Sequence, residues 1–198
     1  MRRRPGILVS ILAVLSSFPA AMAADLREFE VERVDGVYTL ESIVWFDASV
    51  DTVYHVFLDW DLSEQFSSVV VEARNLGSDA DGDRGFYTRN RACVLFYCKS
   101  VERFGSVEHE PATYIRAIAD PERSDFHLSN ESWEFAEEGD GTLVHYQLKM
   151  QPKFWVPPII GPYVLKKKMR EDGVDALDRI EAIAKDKDKE KEASTDVE

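Results

Sequence analysis

Basic residues are scarce in this sequence. Its 24 lysines and arginines are outnumbered by 37 aspartates and glutamates, and the net charge of the 198-residue chain is −13. Because a surface with this balance repels nucleic-acid phosphates, the composition argues against a nucleic-acid-binding function. For the same reason we expect any contact with a membrane to be apolar rather than electrostatic.

A long apolar segment is also missing. The largely apolar run 7–18 has about a dozen residues, whereas a membrane-spanning helix needs about 20. The run follows three arginines at 2–4 and precedes the small-residue site Ala-Met-Ala at 21–23. This arrangement is typical of a bacterial-type secretory signal peptide over residues 1–23, cleaved after Ala23. We therefore expect a periplasmic or secreted protein.

Cysteine is limited to Cys93 and Cys98, which flank the apolar tetrapeptide 94–97. Two cysteines without a histidine at ligand spacing do not form a zinc site, and we expect neither a metal nor a cofactor. In one unbroken strand the two residues would stand about 16 Å apart, too far for a disulfide. A turn at 94–97 would instead place them opposite each other in a hairpin. An oxidising compartment favours this disulfide, and a continuous strand with two buried free thiols is the alternative.

The hydrophobic pattern predicts one α+β domain over residues 36–184. A strand at 36–46 precedes one or two short helices, whose apolar residues from Val50 onward repeat at helical spacing. Six strand-like segments and a long helix from Tyr163 complete the domain. A curved antiparallel sheet of about seven strands, wrapped round the last helix, would bury the apolar face of each. The six segments are 67–75, 84–93, 98–108, 113–119, 126–137 and 142–151.

The flanking segments are predicted to lie outside this domain. Residues 24–35 are interpreted as a lead-in. Residues 185–198 are rich in lysine and acidic residues and contain only two apolar ones, so they are expected to form a disordered charged tail.

Two apolar loops are predicted to meet at one end of the sheet. In a meander, alternate connections lie at the same end, which brings the 94–97 turn beside the proline-rich apolar segment that follows Gln151. Convergent exposed apolar surface of this kind is typical of a binding rim. The predicted rim residues are Val94, Leu95, Phe96, Tyr97, Ile159 and Ile160.

Two stretches carry a family resemblance. The residues VDTVYHVFLDWDLSEQFSSVV at 50–70 and IIGPYVLKKKMREDGVDALDRIEAIA at 159–184 resemble the START-like, helix-grip superfamily, above all its polyketide cyclase/dehydrase and coenzyme-Q-binding branch. The resemblance implies a helix-grip fold with a cavity between the sheet and the C-terminal helix. It also implies that an apolar molecule, such as a lipid, quinone, sterol or polyketide, enters near the start of that helix.

Aromatic residues are the candidate ligand contacts, because no catalytic Ser-His-Asp arrangement is readable in the sequence. An alternative interpretation is that the strand aromatics only fill the core. The predicted ligand-binding residues are Phe86, Trp133, Phe135, Tyr146, Met150, Phe154, Trp155, Tyr163 and Met169.

Three functions compete at this stage. The first is an exported protein that binds a hydrophobic small molecule or lipid, with transient membrane contact through its apolar loops. The second is a cyclase- or dehydratase-type enzyme, which would need a carboxylate or histidine inside the cavity. The third is a protein-interaction module that uses the apolar rim.

Overall fold

One curved antiparallel sheet of eight strands dominates the molecule. The computed structural model describes residues 24–78, 84–94, 97–156 and 161–195. The strands are β1 (Asp25–Val34), β2 (Val37–Phe46), β3 (Val70–Ser78), β4 (Arg84–Val94), β5 (Tyr97–Glu110), β6 (Tyr114–Ala119), β7 (Phe126–Glu138) and β8 (Gly141–Pro152). Their order across the sheet is β1-β2-β8-β7-β6-β5-β4-β3.

Helices cover the concave face of this sheet. Helix α1 (Val50–Leu58), a 3₁₀ turn at Trp60–Leu62 and the short α2 (Ser63–Phe66) connect β2 to β3, and the long α3 (Gly161–Thr195) follows β8. The α+β class, the meander and the long final helix are therefore confirmed. Among the described residues, no helix is both long and apolar enough to cross a membrane.

The predicted lead-in at 24–35 is wrong, because most of it forms β1. This strand pairs with β2 from Asp25 to Val34, and it raises the strand count from the expected seven to eight. The side chain of Leu26 packs against the core. By adding a strand outside β2, the lead-in pairs the backbone groups of β2 and itself becomes the edge of the sheet.

The predicted disordered tail is also wrong for residues 185–195, which continue α3. Lysine and glutamate favour helix even without apolar partners. Ion pairs one turn apart support the helix, with 2.9 Å between Lys185 Nζ and Glu181 Oε1 and 3.2 Å between Lys189 Nζ and Asp186 Oδ1. Tertiary contacts add to this, since Lys191 Nζ lies 2.8 Å from Asp51 Oδ2 on α1.

The N-terminus of α1 is capped by a carboxylate from this part of α3. Ser49, the residue that precedes the helix, makes no side-chain capping bond of its own. Instead the Ser49 backbone N–H donates to Asp188 Oδ2 at 2.8 Å, and the hydroxyls of Ser49 and Thr52 donate to Asp188 Oδ1 at 2.7 and 2.5 Å. A negative charge here satisfies free N–H groups and opposes the positive end of the helix dipole.

An aromatic core fills one half of the concave face, under α1 and α2. Trp60 stacks on Phe86 with ring centroids 4.4 Å apart, and Phe135 makes edge contacts with Tyr54 and Phe57 at 5.6 and 5.7 Å. Later residues of α3, among them Ile180 and Ala184, join the same core. The other half of the concave face lies towards the start of α3.

Strand β5 approaches β6 closely at Gly105. A Cβ atom at this position would stand 2.0 Å from the carbonyl oxygen of Ile118 and 2.6 Å from the Phe86 ring. Only glycine fits such a gap, so the sheet curves tightly at this point.

The β4–β5 hairpin closes with a disulfide between Cys93 and Cys98, as predicted. The two residues are directly paired and their Cα atoms are 4.0 Å apart. Strand alternation places both on the convex face, where they are exposed. We call this end of the sheet the hairpin end. The β1–β2 turn, the 120–125 turn, the end of β8 and the start of α3 also lie there.

The disulfide is expected to stabilise the hairpin measurably. Replacing both cysteines with serine should lower the free energy of unfolding by about 2 kcal/mol, because a short loop is no longer closed in the unfolded chain. Urea unfolding with and without reductant measures this. Reductant should lower the stability of the original chain by the same amount and leave the variant unchanged, and equal stability of the oxidised and reduced chain would contradict the expectation.

The Asp188 cap gives a pH-dependent prediction. Burial raises the pKa of the Asp188 carboxyl, but donors on Ser49 and Thr52 outweigh it and hold the pKa below the ordinary value. Asp188→Ala should therefore cost about 1 kcal/mol at neutral pH. Since a lowered pKa contributes stability only while the group is ionised, the difference should shrink as pH falls below about 4.

The control for this cap is Asp186→Ala, which removes an exposed carboxylate two residues away. It should change the stability by less than about 0.5 kcal/mol. Equal losses for the two variants in urea unfolding would show that α1 does not depend on the cap.

Candidate functional site

A buried ion pair lies on the half of the concave face that α1 and α2 leave uncovered. Arg103 on β5 and Glu131 on β7 are 8% and 9% exposed, and Arg103 Nη1 donates to Glu131 Oε1. Strand β6 lies between them and, beside the pair, presents the small residues Ala117 and Ala119 on this face, with Ile115 further along towards the core. Because the two alanine side chains are small, the Arg103 side chain crosses β6 and reaches the carboxylate.

Two hydroxyl groups complete what we call the concave polar cluster, which comprises Arg103, Ser129, Glu131 and Tyr146. The Ser129 hydroxyl accepts from Arg103 Nη1 at 3.4 Å. Tyr146 makes a side-chain hydrogen bond to Glu131, and burial, followed by the Glu131 charge, raises the pKa of the Tyr146 hydroxyl well above 10. The phenol is therefore a proton donor over the whole physiological range.

Tyr146 keeps accessible side-chain area on the concave face beside the cluster. Its hydroxyl is strongly desolvated, yet the side chain as a whole is only half-buried. Met150, four residues further along β8 and on the same face, is also half-buried. Both residues therefore offer apolar surface beside the polar cluster, which is the composition of a ligand-binding face.

Polar atoms without partners surround the same region. The buried side-chain atoms with no hydrogen-bond partner among the described residues are Tyr38 Oη, Trp60 Nε1, Thr88 Oγ1, Asn90 Oδ1 and Arg103 Nε. All except Trp60 belong to strand residues whose alternation places them on the concave face. Buried polar groups normally have hydrogen-bond partners. Several such groups without a partner on one face therefore indicate that this face binds a polar group from another molecule.

The aromatic residues predicted from the sequence are divided between the core and this face. Phe86 and Phe135 are packed in the core, as the alternative interpretation expected. Trp133 stacks on Tyr146 with ring centroids 5.3 Å apart, at the boundary between core and cluster. Met150 pairs across the sheet with Tyr38 and Ser129.

The predicted rim residues are described only in part. Phe154 is half-buried, 6.2 Å from Phe126 between ring centroids, and Lys99 Nζ lies 5.3 Å from the Phe154 ring. Trp155 is 77% exposed. Leu95, Phe96, Ile159 and Ile160 lie outside the described residues. For Val94, Tyr97, Tyr163 and Met169 only the strand or helix backbone is described.

The sequence interpretation included Tyr146 but missed the other polar members of the site, Arg103, Ser129 and Glu131. Arg103 alternates with Val101, Gly105 and Val107 on β5, and Glu131 stands between Ser129 and Trp133 on the same face of β7. The signal that could have identified the pair is that each of these two strands carries one charged residue at an inward-facing position.

Comparisons with known proteins concern the fold. No protein-family model and no curated protein matches the chain. A START superfamily protein from Mycobacterium smegmatis matches with a TM-score of 0.56 and 18% identity, over 75% of this chain and 97% of that one.

Two further solved structures share the architecture. A STAR-related lipid transfer protein from Xanthomonas axonopodis matches with a TM-score of 0.55 and 16% identity, over 77% of this chain and 98% of that one. The Zhui aromatase/cyclase from Streptomyces sp. R1128 matches with a TM-score of 0.58 and 13% identity, over 75% and 94%. The START-like helix-grip fold expected from the sequence is thereby confirmed.

The orphaned hydroxyl of Thr88 leads to an unusual expectation for stability. Thr88→Val should leave the free energy of unfolding unchanged or raise it by up to about 1 kcal/mol, because it removes a buried group without a partner. Thermal or urea unfolding of the ligand-free chain measures this.

Thr142→Val is the matched control. Thr142 is equally buried, but its hydroxyl donates to the Ala48 carbonyl at 2.8 Å. This variant should lose about 1–2 kcal/mol, since the Ala48 oxygen is left without its donor. Similar losses for the two threonines would mean that Thr88 has a partner in the folded chain.

Proposed function

We propose that this chain, which has the START-like helix-grip fold, binds a hydrophobic small molecule between the concave face of its sheet and α3. The ligand class is a lipid, a quinone or a polyketide-like compound. The proposal draws support from the names of structural neighbours, which include a lipid transfer protein and an aromatase/cyclase. It does not need a bound cofactor.

The observation that carries this proposal is the concave polar cluster with its orphaned neighbours. The buried atoms Arg103 Nε, Tyr38 Oη and Thr88 Oγ1 have no hydrogen-bond partner in the part of the chain that the structure describes. A ligand with an apolar body and more than one oxygen-bearing group would satisfy these atoms, which are spread over β2, β4 and β5. Binding sites of this type are mostly apolar with a few polar groups that fix the orientation of the ligand.

The apolar body of the ligand would lie against the face around Tyr146 and Met150. Trp133 and Phe154 would border it, and Tyr163 and Met169 on α3 would contribute from the other side. Phe86 and Phe135 would support the site from the core. The apolar loops at the hairpin end would form the entrance, including Trp155 and the rim residues predicted from the sequence.

The proposed location is the periplasm or the extracellular space. The signal peptide predicted at 1–23 lies outside the described residues. The disulfide between Cys93 and Cys98 supports an oxidising compartment, because exposed disulfides of this kind are rare in the cytosol. In that setting, transient membrane contact through the apolar loops would give the ligand a route in and out.

An enzymatic role is the second candidate, and Glu131 is the observation that favours it. A buried carboxylate on the concave face is the group that a cyclase- or dehydratase-type reaction would need. However, Glu131 is ion-paired with Arg103 and hydrogen-bonded to Tyr146, so it would orient and polarise a substrate through these partners. Conversion of a linear poly-β-ketone that is lost in Glu131→Gln would support this role.

Ligand binding is tested with the purified chain and oleic acid as the probe. We expect native mass spectrometry to detect a co-purified apolar molecule and titration calorimetry to detect binding of oleic acid. Tyr38→Phe and Thr88→Val should weaken binding about threefold to tenfold each, because each removes one hydrogen-bond donor to the ligand. Arg103→Met combined with Glu131→Leu should weaken it by more than about tenfold without leaving a buried unpaired charge.

The matched control is Arg116→Met, which removes an arginine exposed on the convex face. Its affinity for oleic acid should equal that of the original chain. The proposal fails if no apolar molecule is retained and none binds from a panel of lipids, quinones and polyketide analogues.

A further inference from the structure

The charge of this acidic chain is distributed unevenly. Residues 141–170 contain six lysines or arginines and no aspartate or glutamate, and residues 84–101 contain four basic residues and again no acidic one. The rest of the chain therefore carries a net charge of about −23 to give the total of −13.

The fold brings most of this basic charge to the hairpin end. Arg91 and Lys99 lie near the tip of the β4–β5 hairpin, and Lys153 follows β8. Lys167 and Arg170 are exposed on the first turns of α3. Because charges separated by more than about 8–10 Å are screened at physiological salt, this local charge decides what approaches the hairpin end.

Acidic residues at the same end lie in the β1–β2 turn, in the 120–125 turn, on β5 and on α3, where Glu171 Oε1 stands 3.7 Å from Lys167 Nζ. Several of them accept hydrogen bonds within the protein. Asp125 accepts from the Glu102 backbone N–H at 2.8 Å, and Asp120 accepts from the Glu122 backbone N–H at 2.8 Å. The Glu102 side chain accepts from the Tyr87 hydroxyl at 3.1 Å.

Exposed apolar side chains occur at this end as well. Among the described residues, the large hydrophobic side chains that are exposed are Val34, Val71, Trp155 and Val174. The first three are at or next to the hairpin end, in the β1–β2 turn, at the start of β3 and after β8. An exposed indole beside cations is the combination that anchors proteins at the headgroup level of a bilayer.

The opposite end of the sheet is richer in acidic groups. Glu137 and Glu138 end β7, Asp140 lies in the β7–β8 turn and Asp47 follows β2, with Glu138 paired to Arg27 and Asp47 to Lys185. An anionic surface would repel this end and attract the hairpin end, so the charge distribution sets one orientation of docking.

We infer that the hairpin end docks on bilayers that contain anionic lipids, with Trp155 inserted at headgroup depth. The inference rests on the membrane contact proposed above and specifies its chemistry. It replaces the purely apolar contact that the net charge alone suggested. Arg91, Lys99, Lys153, Lys167 and Arg170 supply the attraction, and the entrance to the concave polar cluster faces the lipid.

The experiment uses the full-length chain with vesicles of phosphatidylcholine, either pure or with 30% phosphatidylglycerol. Partitioning is measured by co-sedimentation at low and high salt. Arg91→Glu combined with Lys153→Glu should reduce partitioning to the anionic vesicles at least about tenfold, since each cation near such a surface contributes about fivefold. High salt should have the same effect on the original chain.

A charge-matched control separates local from net charge. Lys187→Glu combined with Lys189→Glu makes the same change in net charge near the far end of α3, and it should alter partitioning less than about twofold. In a second readout, brominated lipids should quench the fluorescence of the original chain, and Trp155→Phe should abolish most of that quenching. This readout reports the position of Trp155 even if residues 1–23 tether the chain.

The outcomes are distinct. Equal partitioning to both kinds of vesicle, or equal losses for the two charge variants, would overturn the inference and leave the apolar membrane contact standing. No partitioning and no quenching with either vesicle would overturn both the inference and the membrane contact. Neither result would affect the oleic acid titration, which contains no vesicles.

Discussion

The pairing of β2 with β8 is the constraint on which the rest of the structure depends. The strands align without interruption from Tyr38 opposite Met150 to Phe46 opposite Thr142. This register attaches the first hairpin to the six-stranded meander and makes one continuous concave face. A shift by one residue would turn Tyr38, Val44 and Phe46 to the convex side. The aromatic core and the concave polar cluster would then each lose one wall.

The two halves of the concave face are built for different purposes. Under α1 and α2, aromatic rings meet edge to face or stack and form an apolar core. Towards α3, the sheet buries the ion pair of Arg103 and Glu131. A buried ion pair seldom gives more stability than apolar residues of the same volume. The small residues Gly105, Ala117 and Ala119 make room for this pair. Such an arrangement suits recognition better than packing.

Most of the fold could be predicted from the sequence because local hydrophobic patterns specify the individual strands and helices. Alternation located β4 to β8 within a few residues. The spacing of Cys93 and Cys98, together with the expected oxidising compartment, favoured the disulfide-closed hairpin over a strand with free thiols. The boundaries failed where tertiary contacts decide the structure. Strand β1 is held in place by its pairing with β2, and residues 185–195 are held as helix by contacts with α1 such as the one between Asp188 and Ser49. The site was found only in outline, since aromatic residues are visible in a sequence but the pairing of Arg103 with Glu131 across β6 is not.

The cap on α1 has a consequence for the order of events during synthesis. Thr52 and Asp188 are 136 residues apart, so at roughly 5–20 residues per second the helix waits on the order of 10 s for its cap. A nine-residue helix is marginal alone. The N-terminal part of the domain therefore stays incompletely folded until the C-terminal part has been synthesised. During this time the nascent chain is accessible to chaperones and, if it is exported, can be threaded through a translocation channel.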